Sequence, residues 1–500
     1  MQLRLQQISE ILAAPPVLPG VSVNGYSIDS RTVRPGELFF AVRGERLDGH
    51  HYVRAALEAG AAAAVVEATR RADFPAELQP KLLAVPDTLQ ALQALAAAVR
   101  RLWGGPVVAI TGSAGKTTTR QMTAALLATR FRVLQSEGNL NNHFGLPLSL
   151  LRLEPQTEVG VFELAMSAPG EIRLLAGLAA PQVGVVTNVS AAHLEFFPNV
   201  DAIARAKLEL VEQLGPRSWA VLNADDPRVR RFGTALAGRT LYFGISHAAH
   251  FQAQRLERNG NGGYSFAISP QPLQGLPPGM AWDGIEKKRK RPAIASDEPA
   301  TLVRFHLPLL GQHSVLNFLA ALAAAYALGI APGSLREAAA ALRPASWRGE
   351  TLRLSCGALL VNDCYNSNPA ALDAMLSAVA GLPARRRLAV LGGMMELGAS
   401  SETLHRQAGR RARELGFDQL LTVGEAALAI AAGARAAGMP AENLAHFATP
   451  QEAGARLRDI LREGDAVLLK ASRSVHLETV WDSLGPLLAS PQEQKFAERH

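Results

Sequence analysis

Cysteine is almost absent from this chain: there are two in 500 residues, Cys356 and Cys364. That excludes a disulfide framework and the paired Cys spacing of a structural metal site. Charge is sparse too, with Asp, Glu, Lys and Arg making up 19% of the residues and a net charge of +7. The basic surplus is scattered. Its one run, KKRKR at 287–291, has Pro- and Gly-rich neighbours and no interleaved aromatics. It reads as a solvated loop and not as a nucleic-acid surface, while a diffuse positive balance suits anionic small substrates. The longest apolar stretch, FLAALAAAYALGIA at 318–331, is too short and too Ala-rich to span a bilayer. The start, MQLRLQQISEILAAPP, lacks a continuous apolar core and predicts a short amphipathic helix, not a signal peptide. Composition therefore points to a soluble, globular protein of a reducing compartment; a cytoplasmic monomer is expected, with no nucleic-acid partner and no membrane insertion.

What is present is abundant apolar material, 48% of the chain, in a length that exceeds one ordinary core. The first hundred residues form a mixed unit. Short strand-like runs in VSVNGYSIDSRTVRPGELFFAVRG are broken by Gly and Pro, and HYVRAALEAGAAAAVVE reads as a helix leading into a strand. From 106 the pattern turns to strand–helix alternation, with VVAI, FRVLQSE, VGVFELA, VGVVTNV and WAVLNADD as buried-strand candidates. Residues 252–300 break that rhythm with a hairpin-like excursion and a low-complexity insertion at 269–299. A helical stretch over 314–342 follows. A second doubly wound unit then begins, with LLVNDCY, RRLAVLGG, QLLTVG, HFAT and DAVLLKAS as its strands. The expected fold class is α/β with three domains, at 1–103, 104–343 and 344–500.

The most informative stretch is PVVAITGSAGKTTT, 106–119. A Gly-rich turn between a buried strand and a helix aims backbone N–H groups at phosphate, and the helix N-terminus adds positive potential. Gly112, Ser113, Ala114 and Gly115 would form the turn, with Thr118 in the opening of the helix. Lys116 would neutralise the β- and γ-phosphates of ATP, and the Thr117 hydroxyl would ligate Mg²⁺. The usual pattern needs glycine where Ile110 stands, which argues against a standard GTPase or transport ATPase. The plain alternative, an ordinary turn with an accidental Gly-Lys-Thr, is opposed by position: the motif sits in the first strand–helix turn of its unit.

Further motifs go with it. Glu163 ends the strand of VGVFELAMSAPGEI, in the crevice where such sheets bind ligands, and can hold Mg²⁺ through oxygen; the bland reading is a solvated strand-end carboxylate. His193 lies in TNVSAAHLEFF, where a lone histidine is more often structural. Lys207, in ARAKLELVE, reads on residue type alone as a helix-surface lysine. NLNNHFGLP (139–147), LNADDP (222–227), GQHSVLNFLAA (311–321), an Arg348 preceding DCYNSNP (363–369), LGGMMELG (391–398) and KASR (470–473) complete the set. Together these stretches resemble the Mur ligases, the ATP-dependent amino-acid and peptide ligases of peptidoglycan synthesis, over about 21–485 outside the insertion. That family carries T-G-x-x-G-K-T without the extra glycine.

The resemblance implies a uridine-nucleotide-binding N-terminal α/β domain, a central P-loop ATPase-like parallel-sheet domain and a C-terminal Rossmann-like domain. It places Lys116, Lys207, His193 and Glu163 in catalysis. Two Mg²⁺ ions would be held by Thr117, Glu163, His193 and Lys207 carbamylated by CO₂. ATP would meet the loop, His313, Asn317, Arg348, Asp363 and Asn366. Asn223, Asp225 and Asp226 would shape the nucleotide side, or simply a turn. Ser30 and Arg31, in SIDSRTVRPGELFFAVRGERLDGHHY, are implied for the uridine nucleotide, and Asn141, Asn142, Lys470, Ser472 and Arg473 for substrate. Ser314, Gly393 and Ala471 depart from the family pattern. DCYNSNP points to the member adding the last peptide piece, so the implied substrates are UDP-N-acetylmuramoyl-tripeptide and D-alanyl-D-alanine. Three readings stand beside it: a diaminopimelate- or lysine-adding relative, a folylpolyglutamate-synthase-like ligase, and a P-loop ATPase that ligates nothing.

Overall fold

A computed structural model describes residues 1–484 apart from 45–46, 237–238, 261 and 270–301. The basic run and all but residue 269 of the expected insertion lie outside the described residues. Three largely parallel sheets follow one another along the chain, each built from apolar runs of the kind that strands buried on both faces require.

The first sheet sets Gly25–Ser27, Glu37–Phe40, Ala63–Glu67 and Leu82–Val85 side by side in chain order, all parallel. The expected N-terminal helix forms at Leu5–Ile11. A long helix, Thr88–Trp103, leaves the sheet. Asp87 caps its start by accepting from Gln90 N, and Gly104 ends it at φ +71°. Arg100 on this helix is buried and donates to Ala179 O, Ala180 O and Gln182 Oε1 at 2.7, 3.0 and 3.1 Å. It thereby ties the first unit to the second.

The second sheet has seven parallel strands in the order Phe251–Gln252, Thr240–Gly244, Trp219–Asn223, Val183–Val186, Val107–Thr111, Val159–Glu163, Val133–Gln135. From Val107–Thr111 the chain runs out to the edge at Val133–Gln135 and returns through Val159–Glu163. It then crosses to the opposite side at Val183–Val186. The order thus reverses beside Val107–Thr111, and at such a switch point two adjacent loops diverge and leave a crevice at the carboxyl ends. Strand alternation divides the packing. Val107 and Ala109 face a core shared with Leu92, Leu95, Leu146 and Ile203, whereas Val108 and Ile110 face Met122, Leu127, Phe318 and Leu319. Helix Gln312–Ala327 is buried on nearly every side, which explains its apolar run from Phe318 onward. Phe318 meets Phe266 and Phe305 of an antiparallel three-stranded sheet, Gln254–Arg258, Tyr264–Ile268 and Val303–Leu307, which is the expected excursion.

The third sheet runs Glu350–Arg353, Leu359–Asn362, Asp465–Lys470, Arg386–Gly392, Gln419–Val423, Leu444–Phe447, and only the first strand is antiparallel. Its order also reverses, at Leu359–Asn362 and Arg386–Gly392 on either side of Asp465–Lys470. No helix among the described residues is long and apolar enough to cross a membrane.

Candidate active site

The carboxyl ends of the second and third sheets meet across a cleft of about 770 Å³. Its floor is the turn after Val107–Thr111. Gly112, at φ +153°, passes so close to the next strand end that a Cβ there would lie 1.8 Å from Thr187 Oγ1. Gly115, at φ +81°, would drive a Cβ to 2.4 Å from Asn317 Oδ1. Both positions need glycine, for reasons of space as well as dihedral angle. Asn188 fixes the turn between them. Its carbonyl accepts from Ser113 N at 3.0 Å, and its side chain accepts from Ala114 N and donates to Ala114 O at 2.9 and 3.0 Å. The helix that begins at Lys116 then points its first N–H groups into the cleft.

Lys116 Nζ donates to Gly112 O at 2.8 Å, closing the loop on itself. Burial lowers its pKa, with Glu163 opposing and Arg348 reinforcing that shift. The neighbouring strand end supplies Glu163, only 3% exposed. Its two oxygens accept from Thr117 Oγ1 at 2.8 Å and Asn141 Nδ2 at 2.9 Å. A hydroxyl and an oriented carboxylate side by side at a phosphate loop match what Mg²⁺ takes from a protein when it also keeps waters and phosphate oxygens. Among the described residues no group of three or more His, Cys, Asp or Glu forms a metal cluster, so the fit rests on this oxygen pair.

The third sheet supplies the facing wall. Lys470 and Asp363 leave the ends of adjacent parallel strands and pair at 2.5 Å, and Lys470 Nζ also donates to Asn366 O at 2.9 Å. Lys470, 2% exposed, is thus engaged with Asp363 and its loop. Arg348 lies over the Tyr365 ring and Arg473 over the Trp347 ring, each 4.2 Å from the centroid. Ser472 Oγ accepts from Met395 N at 3.0 Å. His313 is half-buried at the helix start, and desolvation lowers its pKa. Ser314 donates back to Leu310 O at 2.7 Å, a local turn contact.

His193, at φ +58°, projects from the loop after Val183–Val186, and its Nδ1 lies 2.5 Å from Glu396 Oε2 of the third unit. That hydrogen bond is the main cause of the lowered pKa of Glu396. Lys207 does not sit on a helix surface. It is 1% exposed on Val200–Glu212, behind the cleft wall. Burial first, and the charge of Lys116 second, push its pKa well below the usual lysine range.

The cleft therefore gathers Ser113 through Thr118, Asn141, Glu163, His193, His313, Asn317, Arg348, Asp363, Asn366, Lys470, Ser472 and Arg473. Gly112 and Lys207 are not among the described residues that line it. Asn142 is not in its lining; its side chain accepts from Phe144 N and Gly145 N and starts a helix. Asp225 accepts from the backbone of Ile245, Ser246 and His247. Asp226 caps Pro227–Arg231, and Asn223 donates to Thr187 O. These three organise turns behind the cleft. Ser30 and Arg31 stand apart on the first unit, where exposed Arg31 pairs with Asp29 at 2.7 Å. Sequence reasoning passed over Asn188, Tyr365 and Glu396. Asn188 and Glu396 stood within the quoted TNVSAAHLEFF and LGGMMELG motifs, and Tyr365 within DCYNSNP.

Family models fall on the three sheets in turn: "Mur ligase family, catalytic domain" on 22–100, "Mur ligase middle domain" on 110–325, and "Mur ligase, glutamate ligase domain" on 347–473. The chain belongs to the Mur ligase family. Among its relatives, the UDP-N-acetylmuramoyl-tripeptide--D-alanyl-D-alanine ligase of Bacillus subtilis (strain 168) is 33% identical over 459 residues, 92% of each chain. A crystal structure of MurF from Acinetobacter baumannii superposes with a TM-score of 0.82 at 27% identity, covering 97% of this chain and 99% of that one. MurF from Thermotoga maritima in complex with ADP gives 0.76 at 27% identity, covering 95% and 98%.

Proposed function

We propose that this chain is an ATP-dependent ligase that joins D-alanyl-D-alanine to UDP-N-acetylmuramoyl-tripeptide in peptidoglycan precursor synthesis. The observation that carries this reading is likeness along nearly the whole chain to ligases of that name. The ADP complex of the Thermotoga relative supports ATP as the nucleotide here. In the reaction, a carboxylate oxygen of the tripeptide attacks the γ-phosphorus, the bond to the bridging oxygen breaks, and ADP leaves. The dipeptide nitrogen then attacks the carbonyl carbon of the acyl phosphate. The carbon–oxygen bond to phosphate breaks, phosphate leaves, and the amine proton passes to solvent.

The phosphate loop holds the β- and γ-phosphates, and Lys116 exchanges Gly112 O for phosphate oxygens whose charge grows during transfer. Thr117 and Glu163 would hold Mg²⁺, with Asn141 orienting the carboxylate; His193, which lines the same cleft, is read as a further ligand. Bound there, the ion neutralises phosphate charge. Lys207 is read as the site of carbamylation. Burial favours the neutral amine, the form whose nitrogen bonds to the carbon of CO₂ with loss of one proton. The resulting anion would lie beside the Lys116 cation. Ser30 and Arg31 are read as contacts of the uridine end of the substrate, away from the cleft where its carboxylate reacts.

The test measures ADP release with UDP-N-acetylmuramoyl-tripeptide, with and without D-alanyl-D-alanine. Ligation predicts sustained ADP release only when the dipeptide is present, with one amide formed per ADP. Turnover indifferent to the dipeptide would leave a P-loop ATPase that ligates nothing.

A further inference from the structure

The geometry points to Glu396 as a positioning residue, part of a latch that holds the third unit closed over the phosphate loop during the reaction; this rests on the ligase reading above. Two loops from different sheets interlock here. Besides the His193–Glu396 side-chain contact, Glu195 N donates to Glu396 O at 3.1 Å. Gly398, at φ +53°, approaches so closely that a Cβ on it would stand 3.1 Å from Leu194 O and 3.2 Å from Glu195 Cα. His193 and Glu396 are both held at positive φ, +58° and +60°, a conformation that costs energy for side-chain-bearing residues unless the surroundings enforce it. The strain lies on both partners of one contact, and that contact spans the cleft mouth.

Among the described residues the phosphate loop itself also meets the third unit, through a longer contact: Asn368 Nδ2 donates to Ser113 O at 3.4 Å. The latch is thus the shorter and doubly bonded bridge across the site. An acyl phosphate is open to water: a water oxygen can attack the carbonyl carbon in place of the dipeptide nitrogen, returning the carboxylate and phosphate. The net loss is then one ATP hydrolysed with no amide made. Keeping the third unit closed excludes that water. Glu396 would therefore govern coupling, the number of ADP molecules released per amide formed, more than substrate affinity.

The experiment measures ADP and amide product together in wild type, Glu396→Ala, Glu396→Gln and Gly398→Ala. Thermal midpoints confirm that each variant is folded. Wild type is expected to release close to one ADP per amide. Glu396→Ala should release several-fold more, with kcat for amide formation lowered about tenfold and KM for ATP little changed. Glu396→Gln keeps an oxygen that can accept from His193 Nδ1 and should recover most of the coupling. Gly398→Ala leaves the carboxylate in place, prises the loops apart, and should uncouple in the same direction. Wild-type coupling in both Glu396→Ala and Gly398→Ala would overturn the latch, as would equal loss of ADP and amide in Glu396→Ala. Failure of the ligase reading would show in the wild type itself, as ADP release that the dipeptide does not alter.

Discussion

Lys207 carries a group whose charge its surroundings oppose. A buried ammonium without a paired anion is expensive, so desolvation favours the neutral amine, and Lys116 nearby disfavours a second cation further. A carbamate would reverse the second objection, because an anion would be attracted to Lys116, and it would supply the oxygens Mg²⁺ prefers, which offset the cost of burying its charge. Lys207→Ala is expected to lose activity on the order of 10²–10³, the usual cost of one preorganised charge interaction. Acetate or formate at high concentration should restore part of it by occupying the vacated anion site. Lys207→Arg should not respond, since it keeps the cation and forms no carbamate. Near-normal rates for Lys207→Ala without additive would return the residue to a packing role. Lys116→Ala should cost at least as much while leaving the thermal midpoint unchanged, because its contact is with Gly112 O and not with the core. At this scale the sequence was legible where chemistry is local. The loop, Lys116 and Thr117 are adjacent in the chain and could be read there. Glu396 and Asn188 could not, since their roles depend on strands and loops that meet only in the folded molecule. Asn142, Asp225 and Asp226 lay inside a motif yet serve to cap and tie turns, a distinction residue type alone does not make.

Most strands announced themselves because a strand buried on both faces must be a continuous β-branched or apolar run, and each run named from the sequence in the second and third units overlaps one, although of HFAT only His446 and Phe447 do. Strand order did not, since neighbours such as Leu359–Asn362 and Asp465–Lys470 are a hundred residues apart. The edge strand Glu350–Arg353 was also missed; it is short and polar, and pairs only because Leu359–Asn362 lies beside it. It begins with a residue of interest. Glu350 is buried in the segment that joins the second unit to the third, where Trp347 (φ +60°) and Gly349 (φ +72°) make the chain turn. Its Oε2 accepts from Trp347 N at 2.6 Å, yet burial pushes its pKa up to about 7. With the folded value above the unfolded one, the proton stabilises the fold. That contribution is complete below the unfolded pKa and disappears as pH rises through about 7. Glu350→Gln keeps an acceptor oxygen without titrating. It should therefore match wild type near pH 4.5 and exceed it at pH 8 by on the order of 2 kcal/mol. Urea midpoints at the two pH values decide the matter, and parallel pH dependence in both proteins would refute it.

At the scale of the molecule, the ligase chemistry needs two sheets whose carboxyl ends face each other, and a long helix that fixes the nucleotide side. Helix Gln312–Ala327 does the latter: its first two turns carry His313 and Asn317 into the cleft, while its remaining length is clamped between the central sheet and the small antiparallel one. The low-complexity segment enters and leaves through that small sheet. Ile268 and Val303 are direct cross-strand partners, so the two strand ends already lie side by side, and the last described pair needs only a tight turn to be joined. The cost of closing a loop falls slowly as it shortens, by about 0.6 kcal/mol per halving, so removing most of it should, if anything, help the fold slightly. The residues to which the reaction is assigned above all lie outside it in the chain. Replacing 272–297 with a short Gly-Ser bridge is therefore expected to leave kcat and both substrate KM values within a few-fold of the full chain, with an equal or higher thermal midpoint. A collapse of activity at an unchanged midpoint would mean that KKRKR at 287–291 acts on the reaction, and an early, non-cooperative melt would mean that the strands Tyr264–Ile268 and Val303–Leu307 depend on the segment they enclose.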